Sequence, residues 1–237
     1  MPSRPEILFP LFGQLTQFTG IGPKIAINLS KLNINSPRDL LFTLPHSLLM
    51  RNKIETVLDA INNDIIIIEI IVDEHLENQQ KNRPYKINVS DAKASFQLVF
   101  FHARKNWLWD LFPIGEKVLI SGKLEYFDGK AQITHPDYVF KPGNEEQIPT
   151  LEPIYSLSAG VTQKTLSKAT RQALNLLPMI NEWISPSIIN KFAWPTWVNA
   201  LKDAHEPKNI NHITFDSPNR LRLAYDEMLA HQLTLAI

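Results

Sequence analysis

Hydrophobic residues change their spacing twice along this chain of 237 residues. Before residue 60 the apolar positions recur every three or four residues, as on one face of a helix. From about residue 64 they alternate with polar positions, as in half-buried strands, and after about residue 162 the helical spacing returns. The pattern predicts an α+β protein in three parts: a helical region at 1–59, a barrel domain at 60–147 and a helical connector at 148–237.

The middle part contains five strand-like runs and one short helix. In order they are Ile65–Val72, Tyr85–Ser90, Phe96–Phe101, a helix over Ala103–Phe112, a strand beginning at Val118, and a strand that follows the Asp128-Gly129 turn and runs to about Phe140. This order is typical of a five-stranded OB-fold barrel. The alternation directs Phe96, Leu98 and Phe100 into the core and leaves Phe101 on the opposite face. We expect the apolar residues of the short helix, Trp107 included, to point inward.

A pair of glycines separates two apolar runs near the N-terminus. The sequence Gly20-Ile21-Gly22-Pro23 predicts a helix-hairpin-helix-like turn, with helices on both sides and Pro23 at the first position of the second helix. Such a turn can present backbone N–H groups to a phosphate, with Lys24 nearby as a positive charge. Alternatively, the glycines only make a tight turn between two helices.

The overall charge argues against strong nucleic-acid binding. The chain carries 24 Lys and Arg against 24 Asp and Glu, and residues 60–147 carry 10 basic and 13 acidic side chains. Because phosphate neutralisation dominates affinity for nucleic acid, we expect weak binding that depends on local cations and on stacking. The chain contains no cysteine, no signal-peptide pattern and no apolar run of membrane-spanning length, so we expect a cytoplasmic protein without membrane contact.

Sequence motifs for catalysis are absent. No Walker A loop, HExxH or GxSxG motif occurs, and the seven histidines are scattered, so we expect no catalytic residue and no metal site.

The barrel aromatics offer a different kind of site. Phe101 is suited to stack on an unpaired base, and His102, Arg104 and Lys105 follow it as candidate phosphate contacts. The alternative is that Phe101 packs on the neighbouring helical region.

A second candidate platform adjoins the Asp128-Gly129 turn. Tyr126, with Lys130 beyond the turn, could contact DNA, or Tyr126 and Phe127 could form only a cross-strand pair.

Several segments together resemble the N-terminal part of the bacterial RecG DNA helicases. They are Gly20-Ile-Gly-Pro-Lys24, Asp39-Leu-Leu41, Thr134-His-Pro-Asp-Tyr-Val139, Gly160-Val-Thr-Gln-Lys-Thr165 and Arg222 to Leu233. The resemblance is collinear over nearly the whole chain. The position four residues after Phe101, aromatic in some members of the family, is Lys105 here. The basic segment that usually follows Leu-Pro in the family is replaced by His46-Ser-Leu-Leu-Met-Arg51.

The resemblance implies a function for the barrel. It would be the wedge that separates strands at forks and Holliday junctions during repair and recombination, with branched DNA as its partner and Phe101 in the stacking role. ATP and Mg would serve only the motor part of the full-length family, whose motifs this sequence lacks, so we expect no enzymatic activity and no cofactor. We expect a monomer that works with a motor in cis or in trans. The alternatives are a protein-interaction module for a separately encoded motor, or a non-functional truncated remnant.

Overall fold

The computed structural model describes residues 5–76, 83–101 and 104–236. They form two compact units. One is continuous and spans Met50–Thr150, and the other combines Met1–Leu49 with Leu151–Ile237. The first and last parts of the chain thus share one hydrophobic core. Within the described ranges, no helix combines the length and the apolar character needed to cross a membrane.

The described ranges contain the following regular elements. The strands are β1 (Ser47–Met50), β2 (Asn52–Lys53), β3 (Ile65–Leu76), β4 (Tyr85–Ser90), β5 (Ser95–Phe100), β6 (Lys117–Phe127), β7 (Lys130–Thr134), β8 (Tyr138–Phe140) and β9 (Leu151–Ile154). The α-helices are α1 (Pro23–Ser30), α2 (Pro37–Phe42), α3 (Lys105–Leu111), α4 (Gln163–Leu174), α5 (Pro186–Phe192), α6 (Trp197–His205) and α7 (Pro218–Ala236).

The continuous unit is a closed barrel. Strands β3, β4, β5, β7 and β6 follow one another around it, and β3 closes the ring by pairing with β6. The β5–β7 pair is parallel and the other pairs within the ring are antiparallel. With α3 between β5 and β6 in the chain, this order confirms the predicted five-stranded OB-fold barrel. Two short strands outside the ring also join the sheet: β2 pairs with β3, and β8 pairs with β6.

Alternating side chains fill the barrel, as the sequence predicts. On β3 every second residue from 66 to 72 is buried, and Phe96, Leu98 and Phe100 are buried on β5. Leu108 of α3 and Phe112 just beyond it close one end of the same core. These side chains exclude water from the barrel interior, and their burial is the main favourable contribution to its stability.

Two details of the barrel differ from the prediction. Trp107 is 53% exposed, because the short helix α3 turns only a narrow face to the barrel, and the prediction that it points inward is wrong. The predicted last strand is two strands, β7 and β8, which pair with different parts of β6. His135 between them has a backbone φ of +49°, and Pro136 has no N–H with which to continue the ladder.

The helical unit also differs from the prediction on the N-terminal side of Gly20. Leu15–Gln17 is a 3-10 turn, and only α1, after Gly22, is an α-helix. Gln14 before this turn and Phe18 after it have extended backbones. Three residues remain between them, too few for an α-helix with its i→i−4 hydrogen bonds. Pro23 begins α1 as predicted, and Pro37 begins α2 after Ser36.

A buried arginine connects two segments of the helical unit. Arg222 of α7 donates to the carboxylates of Glu182 at 2.8 Å and Asp226 at 2.9 Å, and its guanidinium lies 5.3 Å from the ring centre of Trp183. The hydrogen bond from Arg222 holds the pKa of Glu182 below its usual value. Because Arg222 is fully buried, the two carboxylates compensate a charge that would otherwise be strongly destabilising.

We expect Gly122→Ala to destabilise the barrel. A Cβ at Gly122 would lie 2.5 Å from Cγ2 of Ile133 and 3.3 Å from Cα of Pro136, so the closed barrel would have to shift, at a cost of about 1–3 kcal/mol. Chemical unfolding followed by circular dichroism would measure the loss. Gly22→Ala is the control, because a Cβ there meets no atom within 4 Å. An unchanged unfolding midpoint for Gly122→Ala would contradict the packing argument.

We expect the helical unit to lose stability as the pH falls from about 6.5 to 4, because of His205. Burial lowers the pKa of His205 from 6.5 to about 4, and the neutral ring bonds the Tyr155 hydroxyl at 3.0 Å and the Leu41 carbonyl at 2.8 Å. Between these pH values the unfolded chain binds a proton that the folded chain does not bind. The free energy of unfolding therefore falls by about 3 kcal/mol at most.

Urea unfolding at pH 7.5 and 4.5 would test this dependence, with His205→Gln as the comparison. The variant should be less stable than the natural chain at pH 7.5, and the difference should narrow at pH 4.5. A difference that stays constant between the two pH values would exclude His205 as the cause.

Candidate nucleic-acid interface

Phe101 lies at one end of the barrel, directly after β5. Its side chain is 49% exposed, whereas the neighbouring Phe100 is buried in the core. The alternation along β5 therefore places one phenylalanine inside the barrel and the next on its surface, as the sequence predicts. The exposed ring gives this end of the barrel a flat apolar face.

The imidazole of His135 holds the backbone of Phe101. The Phe101 N–H donates to Nε2 of His135 at 3.0 Å, and the His135 N–H donates to the carbonyl of Val99 at 3.0 Å. The two rings lie 5.9 Å apart between their centres. The side chain of His135 thus extends the β5–β7 pairing past the point where Pro136 ends the backbone ladder. Because Nε2 accepts this bond, it carries no proton in this arrangement.

A second histidine fastens α3 across the same end of the barrel. His75 of β3 bonds the Phe112 carbonyl through Nε2 at 2.7 Å and the Tyr85 hydroxyl through Nδ1 at 2.8 Å. Its ring stacks on Trp109 with 4.2 Å between centres. Helix α3 is thereby fixed to the end of the barrel at which Phe101 lies.

Two of the predicted phosphate contacts are exposed in this segment. Arg104 precedes α3 and Lys105 is its first residue, and both side chains face solvent. His102, the third predicted contact, lies outside the described residues. Two exposed cations therefore follow Phe101 within four residues along the chain.

The other predicted platform lies at the opposite end of the barrel. The parallel register pairs Gln97 with Gln132, so Lys130 is level with the start of β5. Six residues of strand, or about 20 Å, separate that level from Phe101. Tyr126 is 46% exposed beside Lys130. The structure therefore does not bring Tyr126 and Lys130 together with Phe101.

Acidic residues share the surface around this second platform. Asp73 and Glu74 line the same shallow groove as Tyr126 and Lys130. These carboxylates make the groove less favourable for phosphate than the surface around Phe101. Tyr126 pairs with Ala131 across the hairpin, and Phe127 pairs with Lys130, so the two aromatics do not face each other as a cross-strand pair.

The glycine turn belongs to the helical unit. Gly20 has φ of +93°, a conformation that L-residues rarely adopt, and Gly22 precedes α1 in an extended conformation. Lys24 is exposed in the first turn of α1. The turn is thus suited to a close approach by a ligand, although it joins a 3-10 turn and one α-helix.

Sequence reasoning did not identify His135 as part of this surface. The sequence signal for His135 is the proline that follows it. Pro136 ends the backbone ladder, so the next N–H on the neighbouring strand, that of Phe101, needs a side chain as its acceptor. Within the described ranges, no group of three or more His, Asp or Glu side chains is arranged to hold a metal ion. The groups identified near Phe101 are the imidazole of His135 in space and the cations Arg104 and Lys105 in the chain.

Comparison with known sequences identifies relatives over most of the chain. The RecG wedge domain family matches residues 15–177. Proteins named ATP-dependent DNA helicase RecG are 30% identical over 229 residues in Haemophilus influenzae and 31% identical over 229 residues in Pasteurella multocida. Each alignment covers 93% of this chain and 33% of the relative. The chain therefore spans about a third of the length of these curated relatives.

A solved structure shares the fold. The chain matches the structure of RecG bound to a three-way DNA junction with a TM-score of 0.74 and 24% sequence identity. The match covers 94% of this chain and 31% of that one. The fold described above therefore occurs in a solved protein.

We expect His135→Ala to loosen the backbone at Phe101 more than His135→Gln does. Both variants keep the unfavourable positive φ, but glutamine can offer a carbonyl oxygen to the Phe101 N–H, and the hydrogen bond is worth about 1 kcal/mol. Amide hydrogen exchange at Phe101, measured by NMR, would compare them. Equal protection in the two variants would show that the imidazole does not hold this amide.

Proposed function

Because the chain belongs to the RecG wedge domain family, we propose that it binds branched DNA and that Phe101 stacks on an unpaired base at the branch point. The observation that carries this proposal is the exposed Phe101 ring, held at the end of β5 by His135. Base–aromatic stacking contributes about 1–3 kcal/mol per base and does not depend on sequence. This suits a protein that recognises the shape of a branch.

The cations after Phe101 would orient the strand whose base stacks. Arg104 and Lys105 are exposed close to Phe101 in the chain, and each could contact a phosphate beside that base. His102 stays a predicted contact in the same segment. Tyr126 and Lys130, at the other end of the barrel, would need a separate stretch of DNA, and the acidic groove beside them makes that contact the weaker proposal.

The chain would supply DNA binding without hydrolysing ATP. Its relatives named ATP-dependent DNA helicase are about three times as long, and this sequence has no Walker A loop. ATP and Mg would accordingly act on a motor part, whether joined to this chain or separate from it. Alone, the chain would bind a fork or junction and unwind nothing.

A second candidate function is docking on such a motor. Helix α7 exposes Leu221, Met228, Leu233 and Leu235, and apolar residues repeated along an exposed helix are typical of a protein-binding surface. This function is compatible with branch binding by the barrel, because the two use different surfaces.

We expect Phe101→Ala to weaken binding to a three-way junction by about tenfold, the equivalent of roughly 1.4 kcal/mol of lost stacking. Binding to plain duplex should stay unchanged, because a duplex offers no unpaired base. Gel-shift titrations with junction, duplex and single-stranded DNA would measure the three affinities.

Phe127→Ala is the matched control, since Phe127 is 68% exposed at the opposite end of the barrel. It should keep the preference for junction over duplex. If the natural chain binds junction no better than duplex, or if the two phenylalanine variants behave alike, the stacking role of Phe101 is wrong.

A further inference from the structure

We infer that an exposed row of cations on α4 binds the sugar–phosphate backbone of a duplex arm of the branched DNA. The row, called here the α4 stripe, consists of Lys164, Lys168 and Arg171. This inference rests on the proposed function and assigns to the helical unit a contact that is separate from the stacking at Phe101.

The stripe follows from the way α4 packs. Leu166, Ala169 and Ala173 are buried on the inner face of the helix, and the three cations are exposed on the outer face. Their spacing of four and three residues places them on one side of the helix, about 6 and 4.5 Å apart along its axis. The charges therefore form a line along α4.

The glycine turn lies beside the middle of this line. The Gln172 side chain accepts from the Thr19 N–H at 2.8 Å and donates to the Thr19 carbonyl at 3.3 Å. A Cβ at Gly20 would lie 4.0 Å from Nζ of Lys168. The glycine backbone of the turn and the ammonium of Lys168 are thus neighbours, and one DNA strand could contact both through its phosphates.

Helix α1 is held against the segment that leads into α4. The Ser158 hydroxyl donates to the Asn28 carbonyl at 2.8 Å. Lys24 and Lys31, near the two ends of α1, are exposed. They add two more positive charges to the helical unit.

The sequence segments that contain the stripe and the glycine turn are poor in acidic residues. No Asp or Glu occurs from residue 7 to 38 or from residue 153 to 181. The helical unit as a whole carries 12 Lys and Arg against 9 Asp and Glu, whereas Met50–Thr150 carries 12 against 15. The net charge of zero therefore combines a basic helical unit with an acidic barrel unit, and the basic one is suited to attract DNA.

A DNA backbone fits this surface better than an acidic protein does. Helix α4 has no aromatic residue, whereas aromatic side chains are enriched among the anchors of protein interfaces. Flexible cations beside an exposed glycine turn are instead typical of contacts to phosphate, which position DNA without reading its sequence.

The test is the salt dependence of DNA binding by a triple variant, Lys164→Gln, Lys168→Gln and Arg171→Gln. Each phosphate contact contributes about 0.9 to the slope of log K against log salt concentration, so the slope should flatten by as much as about 2.7. Junction and duplex should weaken by the same factor, because the contact is with the backbone. Lys168→Glu alone should flatten the slope as well.

The control is a triple variant of the barrel, Lys53→Gln, Lys117→Gln and Lys123→Gln, which removes the same total charge. These three lysines belong to the acidic barrel unit, so we expect little change in slope. Circular dichroism would verify that both variants fold. In contrast, Phe101→Ala should change the preference for junction and leave the slope as it is.

An unchanged slope in the α4 triple variant would overturn the inference. It would mean that the stripe binds an acidic protein or only faces solvent. An equal change in both triple variants would also overturn it, because only total charge would then matter. If the α4 variant flattens the slope while Phe101→Ala leaves the junction preference unchanged, backbone binding by the α4 stripe is supported and base stacking by Phe101 is not. Failure of the natural chain to bind DNA would overturn both.

Discussion

The antiparallel pairing of β3 with β6 is the constraint on which the barrel depends. It runs from Ile65 opposite Lys123 to Ile71 opposite Lys117 and turns an open sheet into a closed ring. Closure brings the inward residues of all five strands into one dry core, and it removes the exposed edges on which sheets aggregate. It also packs Ile133 against the backbone of β6 at Gly122, where a residue with a Cβ would be too close to the Ile133 side chain.

The closed ring in turn creates the surface at Phe101. Between β5 and β6 the chain crosses the end of the barrel as α3, which His75 and Leu108 fix to the barrel. Phe101 stands at the start of this crossing, where the regular ladder ends and the imidazole of His135 takes over as hydrogen-bond acceptor. An exposed aromatic ring is thereby attached to a rigid support, so that stacking on a base would require little ordering of the protein.

The two units divide the charge of the chain between them. The barrel unit is acidic and offers an apolar ring with a few cations, whereas the helical unit is basic and offers the α4 stripe beside the glycine turn. As we propose, the ring would recognise the branch point and the stripe would supply affinity for the backbone. Neither function alone would combine affinity with preference for a branch, because backbone contacts do not distinguish a junction from duplex and stacking on one base contributes little energy.

The sequence by itself determined the elements that depend on local patterns. A β-branched apolar run defined β3, and alternation defined β4 and β5. Pro23 and Pro37 defined the starts of α1 and α2, and the exposure of Phe101 followed from its parity with Phe100. Only the tertiary structure decided which distant groups meet. It placed Tyr126 and Phe101 at opposite ends of the barrel, divided the last predicted strand at His135, and set the Gly20 turn beside Lys168. Local spacing specifies which face of an element is apolar, but strand register and the packing of remote segments specify what that face contacts.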